Sequence, residues 1–336
     1  MKKSRILLLT LVVLLSILTT QCAPAAVATE APTTKIYKLA AIFPGVITDA
    51  DYNTLAYEGI VALKTATGIE TAYSESVAVP DVDRVMREYI DAGFNIIWTH
   101  GGQFVTQTAD LAVQFPDVVF IAEGDAALEN SPANLWFIDR NFHVGYYGIG
   151  AIAARTTKTG KIGYLGGLTL PFSYAEAHAV QQAVKDSGLD VEVKLVWAGD
   201  FNDPTKARQV ADALIAEGVD VIMSSLNLGV FGVFESVKAA ATPVLVTVKY
   251  TDKSSYAPDN YITSLIYDFS GPLTDIYNKV VAGETGGYYP LGFATGVKFN
   301  TPLMNVDASV ISQMDTVIAD LNSGKIEVVK DSSEIK

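Results

Sequence analysis

The chain has 336 residues, 49% hydrophobic and 18% charged, with a formal net charge of −13 and one cysteine. This length suits one large domain or two of ordinary size, and the acidic balance argues against a nucleic-acid-binding face that neutralises phosphates. A single cysteine excludes an internal disulfide and leaves no CxxC pattern for zinc.

The first 21 residues have the pattern of a secretory signal peptide. Three basic residues precede an apolar run at Ile6–Leu18, which is shorter than the roughly 20 residues that span a bilayer. The only cysteine, Cys22, follows where bacterial lipoproteins carry diacylglycerol, although the residues just before it depart from the usual lipoprotein signal. We expect lipid attachment at Cys22 on the outer face of the cytoplasmic membrane, with secretion as a soluble protein as the alternative. Residues 22–35 form an Ala/Pro/Thr-rich tether.

Two amphipathic helices are predicted in the exported part. Apolar residues repeat at helical spacing over Val82–Ile90 before Gly93, and over Ala207–Ile215 before Gly218. Asp203-Pro204 supplies an N-cap acceptor and a first-turn proline for the second helix. A buried strand follows each glycine, which is the helix-to-strand step of a parallel sheet.

This repeat predicts an α/β protein with two doubly wound parallel-sheet lobes. The first lobe spans about 36–142 and the second about 143–265. The remaining chain is too short for a third domain, so we expect it to return to both lobes across a multi-crossing hinge. Residues 266–300 are assigned to lobe 1, 301–325 to lobe 2, and 326–336 to a tail.

Catalytic patterns are scarce. The three histidines have no metal-binding spacing, and neither a GxSxG elbow nor a GxxxxGK[ST] phosphate loop occurs. A GxGxxA match at Gly148–Ala153 lies inside an apparent helix, where close helix packing explains the glycines better than dinucleotide binding. The sequence therefore predicts no enzyme, no cofactor and no metal.

Polar and aromatic residues gather at predicted strand-to-helix turns, where ligands of open α/β sheets bind. An aromatic ring can stack on a flat ligand while a neighbouring polar group reads its edge. Helix capping and loop packing are the alternative explanation for each turn taken alone. The residues at these turns are Tyr52, Asn53, Phe104, Glu123 and Asp125 in the first lobe, and Phe172, Phe201 and Asn227 in the second.

Five stretches in the correct order resemble the basic membrane protein family of bacterial lipoproteins, also called PnrA-like. These proteins are solute-binding subunits of ABC importers with a type I periplasmic-binding fold. The resemblance covers nearly all of residues 36–325. The stretches are Asp51–Asn53 with Tyr57–Gly59, Ala112–Phe120, Thr157–Gly167, Asp203-Pro204, and Gly218–Ile222.

The resemblance implies that Tyr52 and Phe201 sandwich a purine, that Asn53 hydrogen-bonds its edge, and that Glu123 or Asp125 supplies a carboxylate near the base. Two departures refine this expectation. Nucleoside-binding members carry a ribose-binding lysine where this chain has Tyr267, and their ribose-binding aspartate follows the strand equivalent to Val244–Val248.

Here the segment after that strand, which includes Asp252, is closer to a sub-branch that looks adenine-binding. Asp252 and Tyr267 therefore join the predicted site, and a free base is favoured over a nucleoside. We expect a monomer that binds this small molecule and delivers it to an ABC permease. The alternatives are a ligand sensor for a membrane receptor and, less favoured, an exported nucleoside hydrolase.

Overall fold

The computed structural model describes residues 35–126 and 128–335. The predicted signal peptide, Cys22 and most of the predicted tether lie outside the described residues. The helices in the described part are α1 Tyr52–Thr67, α2 Val82–Asp91, α3 Val105–Gln114, α4 Phe142–Thr156, α5 Pro171–Ser187, α6 Pro204–Ala216, α7 Val230–Ala239, α8 Ser270–Val281 and α9 Ala308–Asn322. None of these helices is long and apolar enough to cross a bilayer.

Twelve strands in the described residues form two six-stranded sheets. The first has the order β11-β5-β4-β3-β1-β2 and the second β12-β10-β9-β8-β6-β7. The strands are β1 Lys38–Ile42, β2 Glu70–Ser74, β3 Ile96–Thr99, β4 Val119–Gly124, β5 Leu135–Asp139, β6 Lys161–Gly166, β7 Glu192–Trp197, β8 Val221–Ser225, β9 Leu245–Lys249, β10 Tyr261–Tyr267, β11 Gly287–Pro290 and β12 Val297–Phe299.

All neighbouring strands of the first sheet run parallel. The second sheet is parallel except at its edge, where β12 pairs antiparallel with β10. The prediction of two parallel-sheet α/β lobes is confirmed. Strand β12 belongs to the second sheet, although the sequence prediction assigns its residues to lobe 1.

The chain crosses between the two sheets three times, after β5, after β10 and after β11. Helix α8 follows the second crossing and packs against α1, where a Cβ added at Gly59 would lie 3.0 Å from the Cβ of Phe269. Each lobe is therefore built from separate pieces of sequence.

The helix ends follow from local sequence. Gly93 and Gly218 have φ of 85° and 89°, a backbone region that glycine adopts without strain, and they follow the ends of α2 and α6. The carboxylate of Asp203 accepts hydrogen bonds from the backbone N–H groups of Thr205 and Lys206. Both predicted glycine stops and the predicted N-cap are thus confirmed.

The glycines of the GxGxxA segment serve helix packing. They lie within α4, and a Cβ added at Gly150 would lie 3.0 Å from the Cα of Val180 on α5. This close approach joins the two helices in an apolar cluster that extends beneath both sheets. The polar residues described next lie at or near the carboxyl ends of the strands in both sheets.

Candidate functional site

Tyr52 begins α1 and is half-buried against the carboxyl edge of the first sheet. Its hydroxyl donates a hydrogen bond to Glu123 Oε1 and accepts one from Arg140 Nη1 at 3.0 Å. The ring lies on that of His100, with 3.8 Å between centroids. Burial raises the pKa of Tyr52 well above its usual value, so the hydroxyl keeps its proton and acts as a donor.

Glu123 is a fully buried carboxylate near the end of β4. His100 Nδ1 lies 2.8 Å from Glu123 Oε1, while His100 Nε2 lies 3.1 Å from the Tyr52 carbonyl oxygen. Burial by itself raises the pKa of Glu123, but His100, Arg140 and Tyr52 outweigh it and hold that pKa below its usual value. Its second oxygen, Oε2, is buried and has no hydrogen-bond partner among the described residues.

Arg140 follows β5 and holds Asp125 with two hydrogen bonds, one from Nε to Oδ1 at 3.0 Å and one from Nη2 to Oδ2. The paired bonds fix the plane of the guanidinium group. The guanidinium carbon also lies 4.8 Å from the centroid of the Phe142 ring, within range of a cation–π interaction. Arg140 thus links the first-lobe carboxylates to the aromatic rings at the start of α4.

Asn53 is buried and turned towards the loop after β1. Its Nδ2 donates to Asp49 Oδ2 at 2.7 Å, and its Oδ1 has no hydrogen-bond partner among the described residues. A Cβ at Gly45 would lie 2.6 Å from Asn53 Nδ2, so this packing needs glycine at position 45. The site therefore contains a second buried acceptor without a partner, besides Glu123 Oε2.

The second lobe contributes a pair of stacked phenylalanines. Phe172 at the start of α5 and Phe201 after β7 have centroids 6.0 Å apart and planes 17° apart. Phe172 and Phe142 pack edge to face, with 5.5 Å between centroids. A Cβ at Gly167 would lie 2.1 Å from Phe201 Cδ1, so this ring rests directly on the glycine backbone. A row of planar groups, here called the aromatic row, extends between the lobes and consists of Tyr52, Arg140, Phe142, Phe172 and Phe201.

A buried ion pair lies beneath the second-lobe part of this row. Lys249 Nζ lies 3.1 Å from Glu176 Oε1 and 3.1 Å from Ser225 Oγ. The ammonium group is also 4.5 Å from the Phe142 centroid and 5.0 Å from that of Tyr250. Burial lowers the pKa of Lys249, but Glu176 outweighs it and the net pKa is raised, so the lysine stays charged.

The two lobes touch through polar groups. Lys253 Nζ, in the loop after β9, lies 2.6 Å from Oδ1 of Asp51, the residue before α1. Burial raises the pKa of Asp51 from 3.8 to about 6, even though Lys253 acts to lower it. Thr251 Oγ1 donates to the carbonyl oxygen of Ala50.

The remaining four predicted site residues have different surroundings. Phe104 is fully buried in the apolar cluster beneath α2 and α3, because the turn after β3 directs its ring into the first-lobe core. Asp252 is exposed and accepts from the Ser254 N–H at 2.8 Å. Tyr267 is fully buried against Phe142. Asn227 is partly exposed, and its backbone N–H donates to the Phe201 carbonyl at 3.0 Å.

Sequence reasoning missed several of the residues that complete this cluster. Arg140 and His100 each directly follow a strand. The rule that ligands bind at the turns after parallel strands, here called the turn rule, selected Glu123 and could have selected these two residues as well. The partners of Asp51 and Glu176 carried no comparable local signal. The missed residues are His100, Arg140, Glu176, Lys249, Tyr250 and Lys253.

Within the described residues, no group of three or more His, Cys, Asp or Glu side chains is arranged to hold a metal ion. The sequence profile described as "ABC transporter substrate-binding protein PnrA-like" matches residues 36–331. The chain belongs to this family. Members of the PnrA-like family are extracytoplasmic solute-binding proteins of ABC transporters, which implies a small-molecule ligand and a permease partner for this chain.

Relatives and solved structures agree with this membership. Basic membrane protein A2 of Borrelia garinii subsp. bavariensis is 30% identical over 269 residues, covering 78% of this chain and 79% of the relative. A purine-binding protein of Brucella abortus is 26% identical, covering 77% of this chain and 72% of the relative.

An ABC transporter solute-binding protein from Conexibacter woesei superposes with a TM-score of 0.76 at 23% identity, covering 89% of this chain and 100% of that chain. This likeness shows the fold, and the predicted type I periplasmic-binding fold is confirmed. The family and this solved structure are solute-binding proteins rather than enzymes.

Proposed function

We propose that this protein captures a purine-like ligand between its lobes, preferring a free base to a nucleoside, and delivers it to an ABC permease. The observation that carries the proposal is the aromatic row, which begins beside the buried carboxylate of Glu123 and ends at Phe201 in the other lobe. Stacking of a base on an aromatic side chain is worth about 1–3 kcal/mol. The purine-binding relative supports the same ligand class.

Two buried acceptors support a ligand that donates hydrogen bonds. Glu123 Oε2 and Asn53 Oδ1 have no partner among the described residues, and a buried acceptor without a donor costs about 1–3 kcal/mol. The N–H edge of a purine base presents such donors beside a flat ring. The Tyr52 hydroxyl is already hydrogen-bonded to Glu123 and Arg140. Tyr52 would therefore contact a base through its ring face and leave the base's edge to the two acceptors.

The surroundings of Tyr267 favour a free base. This side chain is fully buried, and its ring meets Phe142 with 4.8 Å between centroids. The nearby ammonium group of Lys249 is already engaged by Glu176 and Ser225. The hydroxyl groups of a ribose need hydrogen-bond partners. This part of the cluster offers aromatic rings and a lysine that is already hydrogen-bonded, so it suits a free base better than a nucleoside.

Thermal denaturation with purine bases and the matching nucleosides tests the proposal. A bound base at 100 times its dissociation constant should stabilise the protein by about 2.7 kcal/mol and raise the Tm. Tyr52→Ala should weaken binding about 10- to 100-fold because it removes a stacking face. Tyr288→Ala, at an edge-strand tyrosine that is 51% exposed, serves as the matched control. If no base or nucleoside shifts the Tm, the ligand assignment is wrong, and tighter nucleoside binding would overturn the preference for a free base.

We also propose that a lipid at Cys22 anchors the protein to the outer face of the cytoplasmic membrane. The support is sequence position, since the only cysteine follows the apolar signal. Labelled fatty acid should enter the wild-type protein and not Cys22→Ser. Release of wild-type protein into the soluble fraction without label would contradict the anchor.

A further inference from the structure

We propose that two short segments, Ala50–Tyr52 of the first lobe and Tyr250–Lys253 of the second, form a clasp that holds the lobes in their binding register. In this arrangement Lys253 is a positioning residue for Tyr52. The part of the inference that concerns ligand affinity rests on the proposed function. The clasp itself can be tested without any ligand.

Three contacts between the two segments make up the clasp. The rings of Tyr52 and Tyr250 have centroids 5.7 Å apart. Thr251 donates to the Ala50 carbonyl oxygen, and Lys253 Nζ reaches Asp51 Oδ1 at 2.6 Å. An apolar, a neutral polar and a charged contact thus meet side by side, so a shift of one lobe along the other would break all three.

The ammonium group of Lys253 is satisfied only when the lobes meet. Its three donors reach Asp51 Oδ1, the Lys249 carbonyl oxygen at 3.1 Å and Thr251 Oγ1 at 3.0 Å. The side chains of Lys253 and Asp51 are 3% and 5% exposed. Two of the acceptors belong to the second lobe and the third, the only charged one, belongs to the first. Buried pairs of this kind fix a register more than they add net stability.

Backbone conformation marks both halves of the clasp. Ala50 and Tyr250 have φ of 54° and 75°, in the left-handed region that residues with a Cβ seldom occupy. Such strain persists where the surroundings hold it and is concentrated at binding sites and ligand clamps. The Tyr250 N–H donates to the Leu265 carbonyl oxygen at 2.7 Å, which fixes the second-lobe half.

Lys253 acts on the ligand site through Asp51. Asp51 immediately precedes Tyr52, the first residue of α1, whose hydroxyl bonds Glu123 and Arg140. A lysine of the second lobe therefore fixes the residue that sets the direction of the Tyr52 side chain. We expect binding geometry at Glu123 to be complete only when the clasp is formed.

The test measures the distance between lobes by double electron–electron resonance. Spin labels go on Val113→Cys in the first lobe and Leu189→Cys in the second, which are 71% and 46% exposed, in a full chain carrying Cys22→Ser. Lys253→Met should lower the ratio of closed to open molecules about 100-fold, because it leaves Asp51 buried without its counter-charge. The matched control is Lys238→Met, which breaks an equally short 2.6 Å pair with Glu235 that is exposed and lies within one helix.

The double variant Asp51→Asn with Lys253→Met separates a clasp from a folding defect. Removing both charges together should restore closure to within about 10-fold of wild type, while far-ultraviolet circular dichroism stays unchanged in all variants. The proposal is overturned if Lys253→Met matches Lys238→Met, or if the double variant opens as far as Lys253→Met. Because these distances are measured without ligand, a failure of purines to bind would count against the proposed function and leave the clasp result standing.

Discussion

Asp51 gives the protein a pH-dependent stability that a single substitution should remove. Burial raises its pKa from 3.8 to about 6 in the folded chain, whereas the unfolded chain restores the usual value. Asp51 therefore binds its proton more tightly in the folded state. Its contribution to stability is fully present below pH 3.8 and is lost as the pH rises through 6. The charged groups that act on Asp51 are Asp49, Lys249 and Lys253, and Tyr250 lies beside them.

The magnitude follows from the size of the pKa shift. One pKa unit corresponds to about 1.4 kcal/mol, so the contribution reaches about 3 kcal/mol in acid and changes by about 1.4 kcal/mol between pH 8 and pH 5. Because the Asp51 side chain is only 5% exposed, solvent screening takes little from this figure. Asp51→Asn cannot titrate, so the difference in unfolding free energy between wild type and variant should change by this amount.

Urea denaturation of wild type and Asp51→Asn at a series of pH values between 4 and 8 measures that difference directly. Titrating groups far from Asp51 cancel, because both proteins carry them in the same surroundings. Val113→Ala, at an exposed and non-titrating position on α3, is the control and should give a flat difference. A difference for Asp51→Asn that also stays flat to within about 0.3 kcal/mol would refute the reasoning, since it would mean that Lys253 fully offsets the burial of the carboxylate.

Three further predictions follow from the same structure. Gly167→Ala should displace the Phe201 ring and weaken base binding about 10-fold, as measured by calorimetry. The control Gly271→Ala should leave the affinity unchanged, because its Cβ would meet nothing within 4 Å. Equal affinities of the two variants would contradict a role for the Gly167–Phe201 contact. Glu176→Gln should lower the unfolding free energy in urea by about 3–5 kcal/mol, because Lys249 stays buried without its carboxylate; a loss below about 1 kcal/mol would show that the pair contributes little. Burial lowers the pKa of His143 to about 4, so its ring should stay neutral in NMR spectra down to about pH 5, and a midpoint near 6.5 would refute this. The stability associated with neutral His143 is present above 6.5 and is lost as the pH falls through 4.

Local sequence accounts for most of the fold. The glycines at 93 and 218 end helices because their φ values suit few other residues, and the apolar runs after them become central strands buried on both faces. These signals are short in range and therefore readable from sequence. The antiparallel placement of β12 could not be predicted from sequence, because its three residues carry no information about which sheet edge they reach.

The candidate site was predicted less completely, for a physical reason. Glu123 and Tyr52 could be placed at one sheet edge in advance, because the sequence predicts that both lie at strand-to-helix turns of the first lobe. Lys253 could not, because it meets Asp51 across 202 residues and only when the two lobes touch. Phe104 shows the opposite case: it follows a strand end as the turn rule requires, yet its turn directs the ring into the core. The turn rule finds the sheet edge but does not give the direction of a side chain.

The late edge strand β11 has a consequence for how the chain is made. The first sheet takes this strand from residues 287–290 of a 336-residue chain. During synthesis the first lobe therefore lacks its sixth strand until most of the protein has left the ribosome, so it cannot settle early as a finished unit. The first lobe can therefore be completed only after residues 287–290 have been made, even though strands β1 to β5 are all present by residue 139.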